Sequence, residues 1–324
     1  MKSLVRRLGP LWTPCVRKVN EYAMTIRILD AVASDFAAMN AADLAESIRK
    51  GEGRTVSVEV ICTDQPPLDG VTHAELAAAL GADIILLDRY APAAPVILGA
   101  PDSLMSSNAP LAGLKTLIGR PVGINLLVGS SLPAEKAGRA FTPAVAQVAC
   151  EQGADILFII NQPSYGGTQE QMCSAGEWVR THSGGRVMPV AVTSASLPPP
   201  RTSAEIETFA ETLKPLLQAG YMGIGLPLPG SKQGWMPEAA ARLVDCIHAG
   251  GGLAWSILTG SVEGSPREAI INLALQAKML GFDVHRLDEA GLSGMPLPNN
   301  ILNYSFAIRG ERHTYRRMAL SVRR

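Results

Sequence analysis

What the chain lacks bounds it first. It has no formal net charge, since 29 Lys and Arg residues balance 29 Asp and Glu. No overall field therefore draws it to nucleic acid or to an anionic membrane surface. No apolar run approaches the ~18 residues that a membrane-spanning helix needs. Aromatic residues make up only 5% of the chain, so large ring clusters are not what builds its core. The five cysteines, Cys15, Cys62, Cys150, Cys173 and Cys246, are scattered and odd in number, and no C-x-x-C occurs. That argues against a disulfide framework or a structural zinc site, and for reduced thiols in a cytoplasmic protein. The five histidines show no metal-ligand spacing. G-x-x-x-x-G-K-[ST], H-E-x-x-H and G-x-S-x-G are all missing, which removes a P-loop, a zincin helix and a nucleophile elbow.

What is present is a repeat. The chain has 324 residues, 47% of them hydrophobic, with 31 Gly and 23 Pro. Short apolar runs alternate with helical patterns: Val56 to Ile61, Ile84 to Leu87, Pro121 to Val128, Ile156 to Ile160, Val187 to Val192, Met222 to Leu226, Leu253 to Leu258 and Asp283 to Leu287. Strand starts fall at about 56, 83, 121, 155, 187, 221, 252 and 283, one βα unit every ~30–35 residues and eight units in all, the size of a closed (β/α)8 TIM barrel. The phrase Gly-Ala-Asp precedes an apolar run twice, at Gly81 and at Gly153, as internal repetition requires. An open doubly wound sheet is the rival, but it usually carries a glycine-rich turn after strand one. Here Cys62-Thr63-Asp64-Gln65-Pro66-Pro67 stands there.

Asp35 to Arg49 reads as one amphipathic helix capping the domain before the first strand. Residues 91–110 form a Pro- and Ala-rich insertion, a lid or a packing loop. Ser265 suits a helix cap, with Pro266 at the first helical position and Gly281 as the left-handed stop. Residues 1–23 are basic, poorly periodic and without the clean apolar core of a signal peptide, so they read as an extension expected to be disordered. The barrel then spans 24–295. Residues 296–324 add a helix and a basic tail, Arg309-Gly310-Glu311-Arg312-His313-Thr314-Tyr315-Arg316-Arg317. That tail is either solvated or subunit-contacting, or it sends cations over the barrel mouth to hold an anion.

In such a barrel the chemistry sits in the loops after the strands. Alternation along strand one puts Val56, Val58, Val60 and Cys62 toward the helices and Ser57, Glu59 and Ile61 inward. An interior Glu59 must be paired with a cation or metal, or be a tuned acid or base. Arg286 shares the parity of Asp288 and is a natural partner for Glu59; only one of His285 and Arg286 can face in. Glu59, Asp288 and Asn161 are the catalytic candidates. Asn125, Ser164, Lys232, Thr259, Gly260, Ser261, Gly291 and Arg286 are the substrate-binding ones. The loops after strands seven and eight are small, polar and glycine-bearing, as an anion site needs, although Glu263, Asp288 and Glu289 would repel one unless a divalent cation mediates or one acid transfers a proton. Asp88 and Arg89 read as a local pair. Asp64 and Asp88 are the metal candidates, for Mg²⁺, and no organic cofactor is evident. No inferred strand contains a lysine, which disfavours Schiff-base chemistry.

From the Thr259 loop to the Arg309–Arg317 tail, and in the turn Leu68-Asp69-Gly70-Val71-Thr72, the chain resembles a poorly characterised group of bacterial (β/α)8 barrel proteins loosely similar to the phosphoenolpyruvate mutase/isocitrate lyase class. The resemblance implies a barrel acting on a small phosphorylated or carboxylated acid, with Mg²⁺. The clustered acidic motif and the Glu-Asp-Lys run of the mutase class are not found; Asn161-Gln162-Pro163-Ser164 stands at strand four instead. The expected function is a lyase or isomerase for a small anionic metabolite in a homo-oligomer. The alternatives are a metal-assisted hydrolase using Asp64, Asp88 and Asp288, and a non-catalytic ligand-sensing or assembly barrel.

Overall fold

A computed structural model of the chain describes residues 25–193, 198–289 and 292–324. The N-terminal extension 1–23, Ser194 and Gly291 lie outside the described residues. Eight parallel strands close into a barrel in sequence order: β1 (Thr55–Ile61), β2 (Ile84–Asp88), β3 (Val122–Val128), β4 (Ile156–Asn161), β5 (Met188–Val192), β6 (Gly223–Pro227), β7 (Leu253–Leu258) and β8 (Val284–Leu287), the last pairing back to β1. Each strand is near-continuously apolar because both of its faces are covered.

Two helices precede the barrel, α1 (Ala33–Ala38) and α2 (Ala41–Arg49). The single helix read over 35–49 is thus two. Asn40 stands between them in an extended conformation, and its side chain accepts the Asp43 N–H at 2.9 Å, so it starts a new helix. Behind the strands follow α3 (His73–Ala79), α4 (Asp102–Met105), α5 (Pro110–Ile118), α6 (Ala134–Ala137), α7 (Pro143–Glu151), α8 (Gln169–His182), α9 (Ser203–Gln218), α10 (Pro237–Ala249), α11 (Arg267–Met279) and α12 (Pro298–Ala319). Residues 91–101, ahead of α4, form a packing loop: Ile97 is buried, and the Leu98 N–H donates to Cys62 O at 2.9 Å. They lead through α4 into α5. At α11 the cap is Pro266 rather than Ser265, a shift of one residue.

The core has two parts. Val56, Val58, Val60 and Cys62 pack between sheet and helices. Ile84, Leu86, Ile156, Phe158, Val190, Trp255 and Val284 fill the barrel interior, joined by Phe36, Leu44 and Ile48 from α1 and α2. The N-terminal helices therefore plug the bottom of the barrel. Trp255 fits because its neighbour is Gly223; a Cβ there would lie 2.7 Å from the indole Nε1.

The repeated Gly-Ala-Asp has a physical cause. Gly81 and Gly153 take φ of +96°, closing the preceding helix. The Asp then holds one residue of the preceding strand by both backbone groups. The Asp83 N–H donates to Val56 O at 2.8 Å, and the Val56 N–H donates to Asp83 Oδ2 at 2.8 Å. Asp155 does the same with Val122, and Asp283, in Gly281-Phe282-Asp283, with Ala254. Before β6 the equivalent residue is Met222, whose N–H donates to Pro189 O at 3.0 Å. Proline has no N–H to satisfy, so no carboxylate is needed there.

Asp83 does more. It is fully buried and ion-paired to Arg309 and Arg317 of α12. Arg309 also donates to Gly81 O, Arg317 to Ile28 O and Ala31 O, and Arg316 to Leu29 O at 2.5 Å. In the basic tail Arg312 stays in solvent, whereas Arg309 and Arg317 are buried and do not reach the mouth. They are anchored at the opposite end of the barrel, because α12 is the eighth outer helix, packed on α11 and α3 and kinked at Gly310. Among the described residues no helix is long and apolar enough to cross a membrane.

Removing one member of a buried charge network leaves the others unpaired and costs about 3–5 kcal/mol. Asp83→Ala is expected to lose that much in urea denaturation. Asp283→Ala should lose ~1–2 kcal/mol, because it strands one backbone donor and the half-exposed His248. Equal losses would show that Asp83 does not anchor α12.

Candidate active site

The carboxyl ends of β1, β2, β3 and β8 bring together charged side chains that lie far apart in sequence. Glu59 and Asn125 sit at inward positions of β1 and β3 and are buried. Arg286 faces inward from β8, and its guanidinium bridges two acids, Glu59 and Asp288, the second through Nε at 2.7 Å. The Phe158 ring lies 4.9 Å beneath that guanidinium, a face that favours a cation. Asn125 Nδ2 donates to Glu59 Oε2 at 2.6 Å and to Asp88 Oδ1 at 3.0 Å. Asp88 is ion-paired with Arg139 at 2.5 Å. His285 points the other way, toward α12. Its Nε2 bonds Gly53 O and its Nδ1 the Tyr304 hydroxyl, each at 3.0 Å. Burial pushes it down to about 4, so it is neutral.

The charges do not balance pairwise. Glu59, Asp88 and Asp288 share two guanidiniums, Arg139 and Arg286. With Asp88 on Arg139 and Asp288 on Arg286, the third carboxyl has no cation of its own. A proton on Glu59 makes the group neutral. Burial is the largest influence on Glu59; Asp288 and Asp88 add to it, Arg286 and Asn125 oppose it, and its carboxyl is pushed up to about 8. Glu263, buried in the loop after β7, is pushed up to about 7, first by burial and then by Asp288 and Glu289. Two acids with raised proton affinity thus flank Asp288.

Other expected site residues fall elsewhere. Asn161 is buried at the end of β4 but shares the parity of Leu157 and Ile159, which pack toward the helices. It lies against Gly167, not beside Asn125. Ser164 is exposed in a 3-10 turn, Pro163–Tyr165. Lys232 is half-buried in the loop after β6. Thr259, Gly260 and Ser261 form the turn after β7. There Ser261 takes φ of +70°, and its N–H donates to Glu263 Oε1 at 3.2 Å. Asp88 does not pair with Arg89. The latter has turned, at φ of +59°, to Asp64 at 3.3 Å. Of the two metal candidates, Asp64 is paired with Arg89 and Asp88 with Arg139. Among the described residues no group of three or more His, Cys, Asp or Glu side chains is arranged to hold a metal ion. Arg139 was not anticipated. Its partner is 51 positions away, and it acts from a loop that runs back along β3, with the Leu127 N–H donating to Arg139 O at 2.8 Å.

Buried polar atoms here without a hydrogen-bond partner include Arg286 Nη1, Asn125 Oδ1 and Glu263 Oε2. Beside the mouth, a polar cleft of about 480 Å³ is lined by Ile61, Thr63, Asp64, Arg89, Glu289 and Ser293, among others.

Comparison with known proteins agrees with the barrel. The family described as a domain of unknown function, DUF7916, matches residues 29–324. No curated protein matches the chain. Among solved structures, a point variant of the carboxyl transferase domain of Rhizobium etli pyruvate carboxylase with pyruvate superposes at a TM-score of 0.55 and 14% identity, over 90% of this chain and 53% of that one. The same domain in another structure gives 0.51 and 14% identity, over 95% and 55%. The 2,3-dimethylmalate lyase, a member of the PEP mutase/isocitrate lyase superfamily, gives 0.49 at 15% identity, over 78% and 83%. The chain spans about half the length of the pyruvate carboxylase chains it matches, and the likeness is one of fold.

The raised Glu59 value has a sign that can be checked. A carboxyl whose folded value lies above its unfolded one contributes stability that is fully present below 4.5 and is lost as pH rises through about 8. Glu59→Gln removes that loss. Relative to wild type, the variant should therefore be more stable against unfolding at pH 9 than at pH 5. A gap that is constant with pH, or that moves the other way, contradicts the assignment.

Proposed function

The chain belongs to the DUF7916 family, and for it we propose an acid–base enzyme of the lyase or isomerase type, acting on a small carboxylated or phosphorylated metabolite at the C-terminal mouth of the barrel. The observation that carries this reading is Glu59, a buried carboxyl that shares two guanidiniums with two further carboxylates. A group that exchanges its proton near neutral pH is what general acid–base catalysis uses. In this reading Glu59 takes a proton from a carbon next to a carboxylate or carbonyl, or returns one to it. Arg286 Nη1 supplies the hydrogen bond that a substrate oxygen needs as charge develops on it. Asn125 Oδ1 supplies an acceptor for a substrate hydroxyl.

The arrangement favours a carboxylate or carbonyl over a fully ionised phosphate. Both mouth arginines are already engaged by Asp88 and Asp288, so a dianion would meet acids as well as cations. A cytoplasmic setting and a homo-oligomeric assembly belong to the same proposal. The free thiols of Cys62, Cys150, Cys173 and Cys246, and Met279 standing 80% exposed on α11, accord with them.

The test begins with thermal stabilisation of the protein by small hydroxy-, keto- and dicarboxylic acids and their phosphorylated counterparts. A ligand at ~100 times its dissociation constant adds about 2.7 kcal/mol. Stabilising acids are then incubated in D₂O and followed by mass spectrometry. Wild type should introduce deuterium at the carbon beside the carboxylate or carbonyl. Glu59→Gln should still be stabilised by the acid, but exchange more slowly by at least about 100-fold. Equal exchange by the variant removes Glu59 from the mechanism. Stabilisation without exchange or turnover in wild type leaves a ligand-sensing barrel.

A further inference from the structure

The end of the barrel away from the mouth carries a second cavity. It measures about 560 Å³ and lies between α1, α5, the start of β4, the segment before β5 and the C-terminal residues. Its size is in the range of small-molecule sites. Its walls include the cations Lys115, Arg186, Arg323 and Arg324, the acid Asp155 and the α-carboxylate of Arg324, which accepts the Ser34 N–H. Asp155 is committed elsewhere, since it accepts the Val122 N–H at 2.9 Å and pairs with Lys115 at 2.5 Å. That leaves Arg186, Arg323 and Arg324. Among the described residues none of their guanidiniums has an ion-pair or hydrogen-bond partner. All three are solvent-exposed, so water screens their mutual repulsion, and they stand free to take up an anion at this hollow. The remaining wall is apolar, with Met39, Val187 and Val322 among its residues.

We propose that this cavity binds a phosphomonoester with a small apolar body, its phosphoryl group held by Arg186, Arg323 and Arg324 and its body resting on Met39, Val187 and Val322. Guanidiniums match phosphate oxygens in fork geometry. Three of them suit a dianion better than a carboxylate. The seat also touches α1, which plugs the barrel, and the end of the chain. The Ser34 N–H donates to Arg324 O at 2.8 Å, closing the wall between them. The site is independent of the acid–base reading of the mouth.

Octyl phosphate below its micelle concentration is the probe, with octanoate and inorganic phosphate as comparisons, in calorimetric titration of the full chain. Octyl phosphate should bind saturably at one site per chain, and at least about tenfold more tightly than either comparison. The surface variant Arg186→Ala/Arg323→Ala/Arg324→Ala should weaken it by at least about tenfold, while Glu59→Gln leaves it unchanged. Absence of saturable binding, affinity equal to that of octanoate, or binding untouched by the triple variant overturns the proposal. Loss of binding in Glu59→Gln also overturns it, by assigning the ligand to the mouth. A triple variant that melts below wild type without ligand is replaced by Arg186→Gln alone, for which a weakening of about threefold or more is expected and no change is contrary.

Discussion

Closing a parallel sheet on itself forces inward side chains from opposite strands into one low-dielectric space, and here that space receives Glu59, Asn125 and Arg286 together. Buried charges persist only when paired or neutralised. Arg286 answers the demand by reaching two acids at once and resting on Phe158. Asp88 is answered by Arg139, brought in from a loop. The remaining imbalance falls on Glu59, which is relieved by a proton. Its raised proton affinity therefore follows from counting groups in a closed space. The same closure puts that proton at the end of the barrel where loops can admit a small molecule.

The two ends of the barrel use charge differently. At the mouth, acids outnumber cations and the surplus is a proton. At the bottom, Asp83 gathers Arg309 and Arg317, and Arg120 lies close by, donating to Ala82 O and Arg317 O. Those cations are satisfied by backbone carbonyls as much as by carboxylate. The result ties α12 to the strand start and to the segment before α1. The plug formed by α1 and α2 and the eighth helix therefore support one another. The mouth is left free of the structural duty that the basic tail performs below.

Much of this was legible in the chain. Strand positions followed from short apolar runs at regular spacing, and the inward parity of Glu59 and Arg286 from simple alternation. Their partnership could be anticipated because both were charged and both were forced inside. Alternation also turns Asn161 to the helix side, with Leu157 and Ile159; its place at a strand end alone suggests a ligand. Arg139 and the anchoring of Arg309 and Arg317 were not legible. Each depends on a partner far away in sequence, and a run of arginines looks the same whether solvated or buried. The division of 35–49 turned on one capping asparagine, a local signal that the amphipathic pattern masked.

The repeated Gly-Ala-Asp is the clearest case in which a sequence phrase acquires a cause. Asp83, Asp155 and Asp283 each hold a strand residue by both of its backbone groups, and the corner facing Pro189 lacks the acid because it lacks the donor. For the mouth, the deciding measurement is the protonation state of Glu59 itself. Infrared difference spectra of wild type against Glu59→Gln, taken across a pH series, isolate the one carboxyl. The account predicts a protonated carboxylic acid band at pH 6 that disappears with a midpoint near 8. A carboxylate band already present at pH 6, with a midpoint near the ordinary 4.5, would contradict it.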